Sequence, residues 1–112
     1  MIDWQRIHEL HSEIGADDFQ EVVDLFLSEV EDSLGDLASV TINAQLLQER
    51  LHFLKGSALN LGFSEMARLC QAGELAAAAG QHQTVKVAKV HEVFAESRTA
   101  FLRDLAAQLT VS

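Results

Sequence analysis

No proline occurs anywhere in the 112 residues of this chain. Proline removes a helical hydrogen bond and clashes with the preceding turn, so its absence leaves room for long, unbroken helices. Cysteine is almost as scarce. The single Cys70 excludes an internal disulfide and fits a reducing compartment. Cations are few, with 8 Lys and Arg against 17 Asp and Glu and a formal net charge of −9. Nucleic acid and anionic membrane surfaces both need basic protein faces, so neither is an expected partner. No apolar run approaches the roughly 18 residues of a membrane span. The start, Met1-Ile2-Asp3-Trp4, has neither the basic nor the apolar region of a signal peptide. The expectation is a cytoplasmic protein held in solution by self-repulsion.

Ala, Leu, Glu and Gln dominate, and all four favour helix. Valine is frequent only around 85–93, where a strand is the local competitor. Gly15, Gly62, Gly80 and the Ser39–Asn43 stretch divide the chain into five helical segments. The first spans about 3–14, with Trp4, Ile7, Leu10 or His11, and Ile14 on one side. The second spans about 18–38, opened by an Asp17–Gln20 capping pair, with Phe19, Val22, Val23, Phe26, Val30, Leu34 and Leu37 inward. The third spans about 44–61 behind Asn43 or Thr41. Its Leu47, Leu51, Leu54, Ala58 and Leu61 step by 4, 3, 4 and 3, the seam of a bundle helix. The fourth spans about 65–79 with Ser64 as cap and Met66, Leu69, Cys70, Gly73 and Ala77 inward. The fifth spans about 84–109 on Val87, Val90, Phe94, Ser97, Phe101 and Leu105. Short connections between long helices favour antiparallel neighbours. The pattern therefore predicts one all-α domain over 1–112, an antiparallel up-down four-helix bundle with a short N-terminal helix across one end or side.

With the seam of the third helix as zero and about 100° per residue, His52 lies roughly 140° away, Lys55 roughly 80° and Gly56 roughly 180°. The three share an outward patch within one turn. A neutral imidazole is a good nucleophile near pH 7 and can attack phosphorus with one nitrogen while the other keeps its proton. Lys55 offers an ammonium to phosphoryl oxygens. Gly56 leaves bare backbone beside the ring, at a cost of roughly 1 kcal/mol against Ala. Close approach of a second macromolecule would account for that cost, because phosphoryl transfer depends on in-line positioning.

The run His52-Phe53-Leu54-Lys55-Gly56-Ser57-Ala58, followed by Leu61-Gly62, resembles the signature of histidine phosphotransfer domains of two-component phosphorelays, and the match continues through Met66, Leu69 and Cys70. The resemblance implies a phosphocarrier, not an enzyme with kinase activity of its own. Such a carrier accepts a phosphoryl group on His52 from a receiver-domain aspartate and passes it to another receiver. It also implies that Glu74, 22 residues after His52, holds the non-reacting ring nitrogen, with Gln71 one turn earlier as the nearest substitute. A carboxylate there would fix the tautomer and make the other nitrogen more basic. Gln45, Gln48, Gly56, Leu59 and Gln71 would form the docking surface. The implied partners are receiver domains of response regulators and hybrid histidine kinases. They would supply Mg²⁺, so the carrier needs no cofactor or metal itself. The expected state is a monomer, and a Met1 start with five complete helices favours a free-standing protein.

Two other readings belong to different classes. A helical adaptor would use the fold without phosphoryl chemistry, but retention of His52, Lys55 and Gly56 argues against it. A di-metal bundle uses two Glu-x-x-His steps facing inward. Here only Glu49–His52 occurs, and it points away from the seam. No phosphate-binding glycine loop, Walker-type lysine or kinase signature is present. His8, His11, His82 and His91 show no pattern above an ordinary surface, and Cys70 reads as a small buried hydrophobe.

Overall fold

Helical spacing along the sequence becomes five α-helices in the computed structural model, which describes residues 1–110. They are α1 (Trp4–Ile14), α2 (Ala16–Leu37), α3 (Ala44–Asn60), α4 (Ser64–Ala78) and α5 (Val87–Thr110). Single 3-10 turns at Ala38–Val40 and His82–Thr84 follow α2 and α4. The all-α bundle is the fold that forms, and among the described residues the only strand-like pairing is an isolated bridge between Ile2 and Phe63.

The seam of α3 is the floor of the core: Leu47, Leu51, Leu54, Ala58 and Leu61 are all fully buried. Met66, Cys70, Gly73 and Ala77 of α4 face it, and the small Cys70, Gly73 and Ala77 let the two backbones approach closely. A Cβ at Gly73 would stand 2.8 Å from Leu51 Cδ1, so any larger residue there must displace the buried Leu51 side chain. Val90, Val93, Phe94, Ser97, Phe101 and Leu105 bring α5 into the same core. In α2 the buried stripe is Phe19, Val23, Leu27, Val30, Ser33, Leu34 and Leu37. Leu27 takes the place expected of Phe26, which is only half-buried along with Val22. At one end Trp4 stacks on Phe101 with ring centroids 5.9 Å apart, and Phe63 meets Phe101 edge-on at 5.6 Å.

The helix ends follow capping chemistry in two places and depart from expectation in four. Asp3 accepts from the Arg6 N–H at 3.2 Å, and Asn43 accepts from the Leu46 N–H at 3.0 Å. Thr41 is not the cap of α3; its hydroxyl donates to the Ala38 carbonyl. Asp17 lies inside the first turn of α2 rather than capping it, and Gln20 donates forward to Asp24 at 2.9 Å. The Asp17 carboxylate still sits favourably at the positive end of the helix dipole. Ser64 is the first residue of α4, not its cap, and its hydroxyl donates to the Met1 carbonyl at 2.9 Å. The fifth helix begins at Val87 instead of Thr84, whose hydroxyl closes the preceding turn onto Gln81. From Val87 onward the valine-rich stretch is helical, because burial of an apolar stripe outweighs the modest β preference of valine.

The segment before α1 is clasped onto the α3–α4 turn. The Asp3 N–H donates to the Gly62 carbonyl at 2.7 Å and the Ser64 N–H to the Met1 carbonyl at 3.1 Å. Gly62 has φ of +70°, and a Cβ there would come within 2.7 Å of the Asp3 carbonyl oxygen. Both facts demand glycine. Gly62→Ala is therefore expected to cost about 2 kcal/mol, which lowers Tm by roughly 8 °C in a domain of this size. Thermal unfolding followed by circular dichroism checks it. An unchanged Tm would mean that the clasp is not formed in solution.

Candidate functional site

His52 follows Leu51 of the α3 seam by one residue, which turns its ring to solvent, and its side chain is 71% exposed. α4 runs antiparallel to α3, so a step forward on one helix meets a step back on the other. Opposite His52 that register places Glu74. Its carboxylate oxygens lie 2.9 and 3.3 Å from His52 Nδ1. An ionised carboxylate can only accept, so Nδ1 carries the proton and donates. The other ring nitrogen, Nε2, is left with its lone pair on the solvent side.

Glu74 is itself only 14% exposed and serves two donors. Lys55 Nζ donates to Glu74 Oε1 at 3.0 Å and to Gln71 Oε1 at 2.9 Å. The carboxylate thus bridges the imidazole and the ammonium, and Gln71 completes the hold on Lys55. Burial pushes the Glu74 carboxyl upward, but the hydrogen bonds and positive charges of Lys55 and His52 outweigh it and leave it below the ordinary carboxylate range. The bridge therefore favours the folded state above that range and is lost as the pH falls through the lowered value. Carboxyl-carbon NMR should find Glu74 titrating below the usual range for a glutamate. Titration at or above it would mean that the bridge is open in solution.

Gly56 is exposed one turn beyond His52, and a Cβ built there meets nothing within 4 Å. Nothing inside the fold would be displaced by a side chain at this point, in contrast to Gly73. Gln45, Gln48 and Glu49 line a shallow hollow with His52 and Glu74. Leu59 is 55% exposed, but it lines a separate hollow with Arg6, Glu9 and Asn60 at the α1 end. Cys70 is buried in the core. Burial and the Glu74 charge, opposed by Lys55, push its thiol up to about 12, so it stays protonated and inert. His11 packs edge-on against Phe19 with centroids 4.9 Å apart, a structural role.

The Gln71–Lys55 contact was not read from the sequence. Its signal was there: once His52 and Glu74 are opposed, three residues forward on α3 must meet three residues back on α4. Phe53, 44% exposed beside His52, was not singled out from the sequence either. Among the described residues no group of three or more His, Cys, Asp or Glu is arranged to hold a metal ion, and no helix is long and apolar enough to cross a membrane.

Residues 21–110 match the family model described as Hpt domain. Over 73 residues the chain is 37% identical to the phosphorelay protein LuxU of Vibrio harveyi, an alignment that covers 63% of this chain and 61% of that protein. The match thus spans about three fifths of the length of this curated relative. No solved structure is significantly similar.

Proposed function

The chain belongs to the Hpt domain family, and on that premise we propose that it is a phosphorelay carrier, loaded on His52 by one receiver-domain aspartate and unloaded by another. The observation that carries this reading is the Glu74–Nδ1 hydrogen bond, which leaves Nε2 exposed as the reacting atom. The Nε2 lone pair attacks phosphorus in line. The N–P bond forms as the bond from phosphorus to the aspartyl oxygen breaks, and the aspartate leaves as carboxylate. The Nδ1 proton stays in its bond to Glu74, whose negative charge offsets the positive charge that develops on the ring. Lys55, held one turn away by Gln71 and Glu74, supplies positive charge for the oxygens of the incoming group. Transfer to the next receiver is the reverse of these steps.

The carrier needs no kinase activity in this scheme, and Mg²⁺ belongs to the receiver. The printed name of the Vibrio relative, a phosphorelay protein, agrees with this assignment. We take the carrier to act as a single-domain monomer in the cytoplasm.

Incubation with ³²P-phosphorylated receiver domains tests the proposal. Label is expected on the chain, labile in acid and stable in base as a phosphoramidate is, and recovered in the peptide that contains His52. Acid-stable label would place the phosphate on Ser or Thr and overturn the assignment. Tight receiver binding without any label would favour the adaptor reading instead.

A further inference from the structure

Beside the His52 hollow, α2 and α3 enclose a groove that the carrier chemistry does not use. It is lined by Ser33 and Phe53 and by a charged set in which acids outnumber bases, Glu29, Asp32 and Asp36 from α2 with Glu49 and Arg50 from α3. Asp36 is engaged by Arg50 at 3.3 Å. Glu29, Asp32 and Glu49 make no ion pair among the described residues. Ser33 is 7% exposed, and its buried hydroxyl has no hydrogen-bond partner. A buried, unpaired hydroxyl costs about 1–3 kcal/mol, so a polar group that enters the groove and displaces the atoms covering Ser33 gains a waiting partner. Glu49 lines both this groove and the hollow that holds His52 and Glu74, so the two are neighbours on one face.

We infer that the groove receives an arginine side chain from the receiver domain that docks over His52. The inference rests on the carrier reading and adds the partner chemistry that the docking surface selects. Arginine fits each part of the groove. Its guanidinium plane can lie on the half-exposed Phe53 ring. Its five N–H donors can serve carboxylates of the groove and the Ser33 hydroxyl together. Lysine is a point charge and cannot stack and fork at once. An anionic group would meet three uncompensated carboxylates. The net charge of −9 acts in the same sense at longer range, drawing a basic face toward the carrier and raising the encounter rate.

The test has two arms. In the first, the ¹⁵N-labelled full chain is titrated with N-acetyl-arginine amide at constant ionic strength. Saturable shifts are expected at the amides of Ser33, Glu49 and Phe53, and they should vanish in an Asp32→Asn, Glu49→Gln variant of unchanged circular dichroism. Small shifts scattered over all acidic residues would overturn the inference. The second arm uses a phosphorylated receiver domain that binds the chain, and reads its Kd and the labelling of His52 together. Neutralising Glu29, Asp32 and Glu49 together should weaken its Kd about tenfold at low salt, converging with the parent protein at high salt. Equal Kd at low salt with His52 still labelled would overturn the groove assignment and leave the carrier reading intact. Charge-dependent receiver binding with no label on His52 would overturn the carrier reading and leave the groove standing.

Discussion

His52→Gln is expected to reduce labelling by a phosphorylated receiver to background while the melting temperature stays unchanged. The substitution separates chemistry from folding unusually well. The His52 side chain is 71% exposed, so its removal opens no cavity. A glutamine amide can still donate to Glu74 and keep that carboxylate paired, so no buried charge is orphaned. What it lacks is a nucleophilic nitrogen. Of the other histidines, His11 is packed on Phe19, and none shares the carboxylate–lysine bridge of His52. Residual label at the level of the parent protein would move the site elsewhere. Receiver affinity measured on the same variant should be nearly unchanged, which distinguishes a lost nucleophile from a lost docking surface.

The fold was legible where one physical effect dominates. The 4-3-4-3 seam of α3 has no competing explanation, and all five of its residues are fully buried. In α2 the adjacent Phe26 and Leu27 are both apolar, and burial goes to Leu27, which continues the spacing from Val23 to Val30. The helix ends were harder for a related reason. A hydroxyl such as that of Ser64 has several possible acceptors, and the choice depends on a segment 63 residues away. The site divides along the same line. The outward patch of His52, Lys55 and Gly56 follows from helix geometry alone. Glu74 came from a family resemblance, since opposing two helices needs the length of the turn between them. The Lys55–Gln71 contact depends on that tertiary register, and the α2–α3 groove on a further helix, so neither follows from a pattern within one helix.

Gly56→Trp is expected to slow transfer from receiver to carrier about a hundredfold, the loss that a displacement of roughly 1 Å brings to an in-line reaction. Helix-interior glycine sacrifices roughly 1 kcal/mol relative to alanine, and nothing within 4 Å of the missing Cβ justifies that loss inside the fold. The free space lies outside, over the same exposed face as His52. A large side chain there leaves the bundle intact but stands where, in the proposed transfer, the receiver backbone comes to bring its aspartyl phosphate to Nε2. Gly56→Ala separates the two effects. It should raise stability by about 1 kcal/mol and slow transfer far less than Trp does. Rapid-quench measurement of transfer, together with thermal unfolding of both variants, reads these outcomes directly. Should Gly56→Trp transfer at the parental rate, clearance for the receiver is not the reason for glycine. Should Gly56→Ala be destabilising, an internal contact makes the glycine structural. The combination of a more stable alanine variant and a transfer-deficient tryptophan variant is what a surface shaped for close approach of a partner predicts.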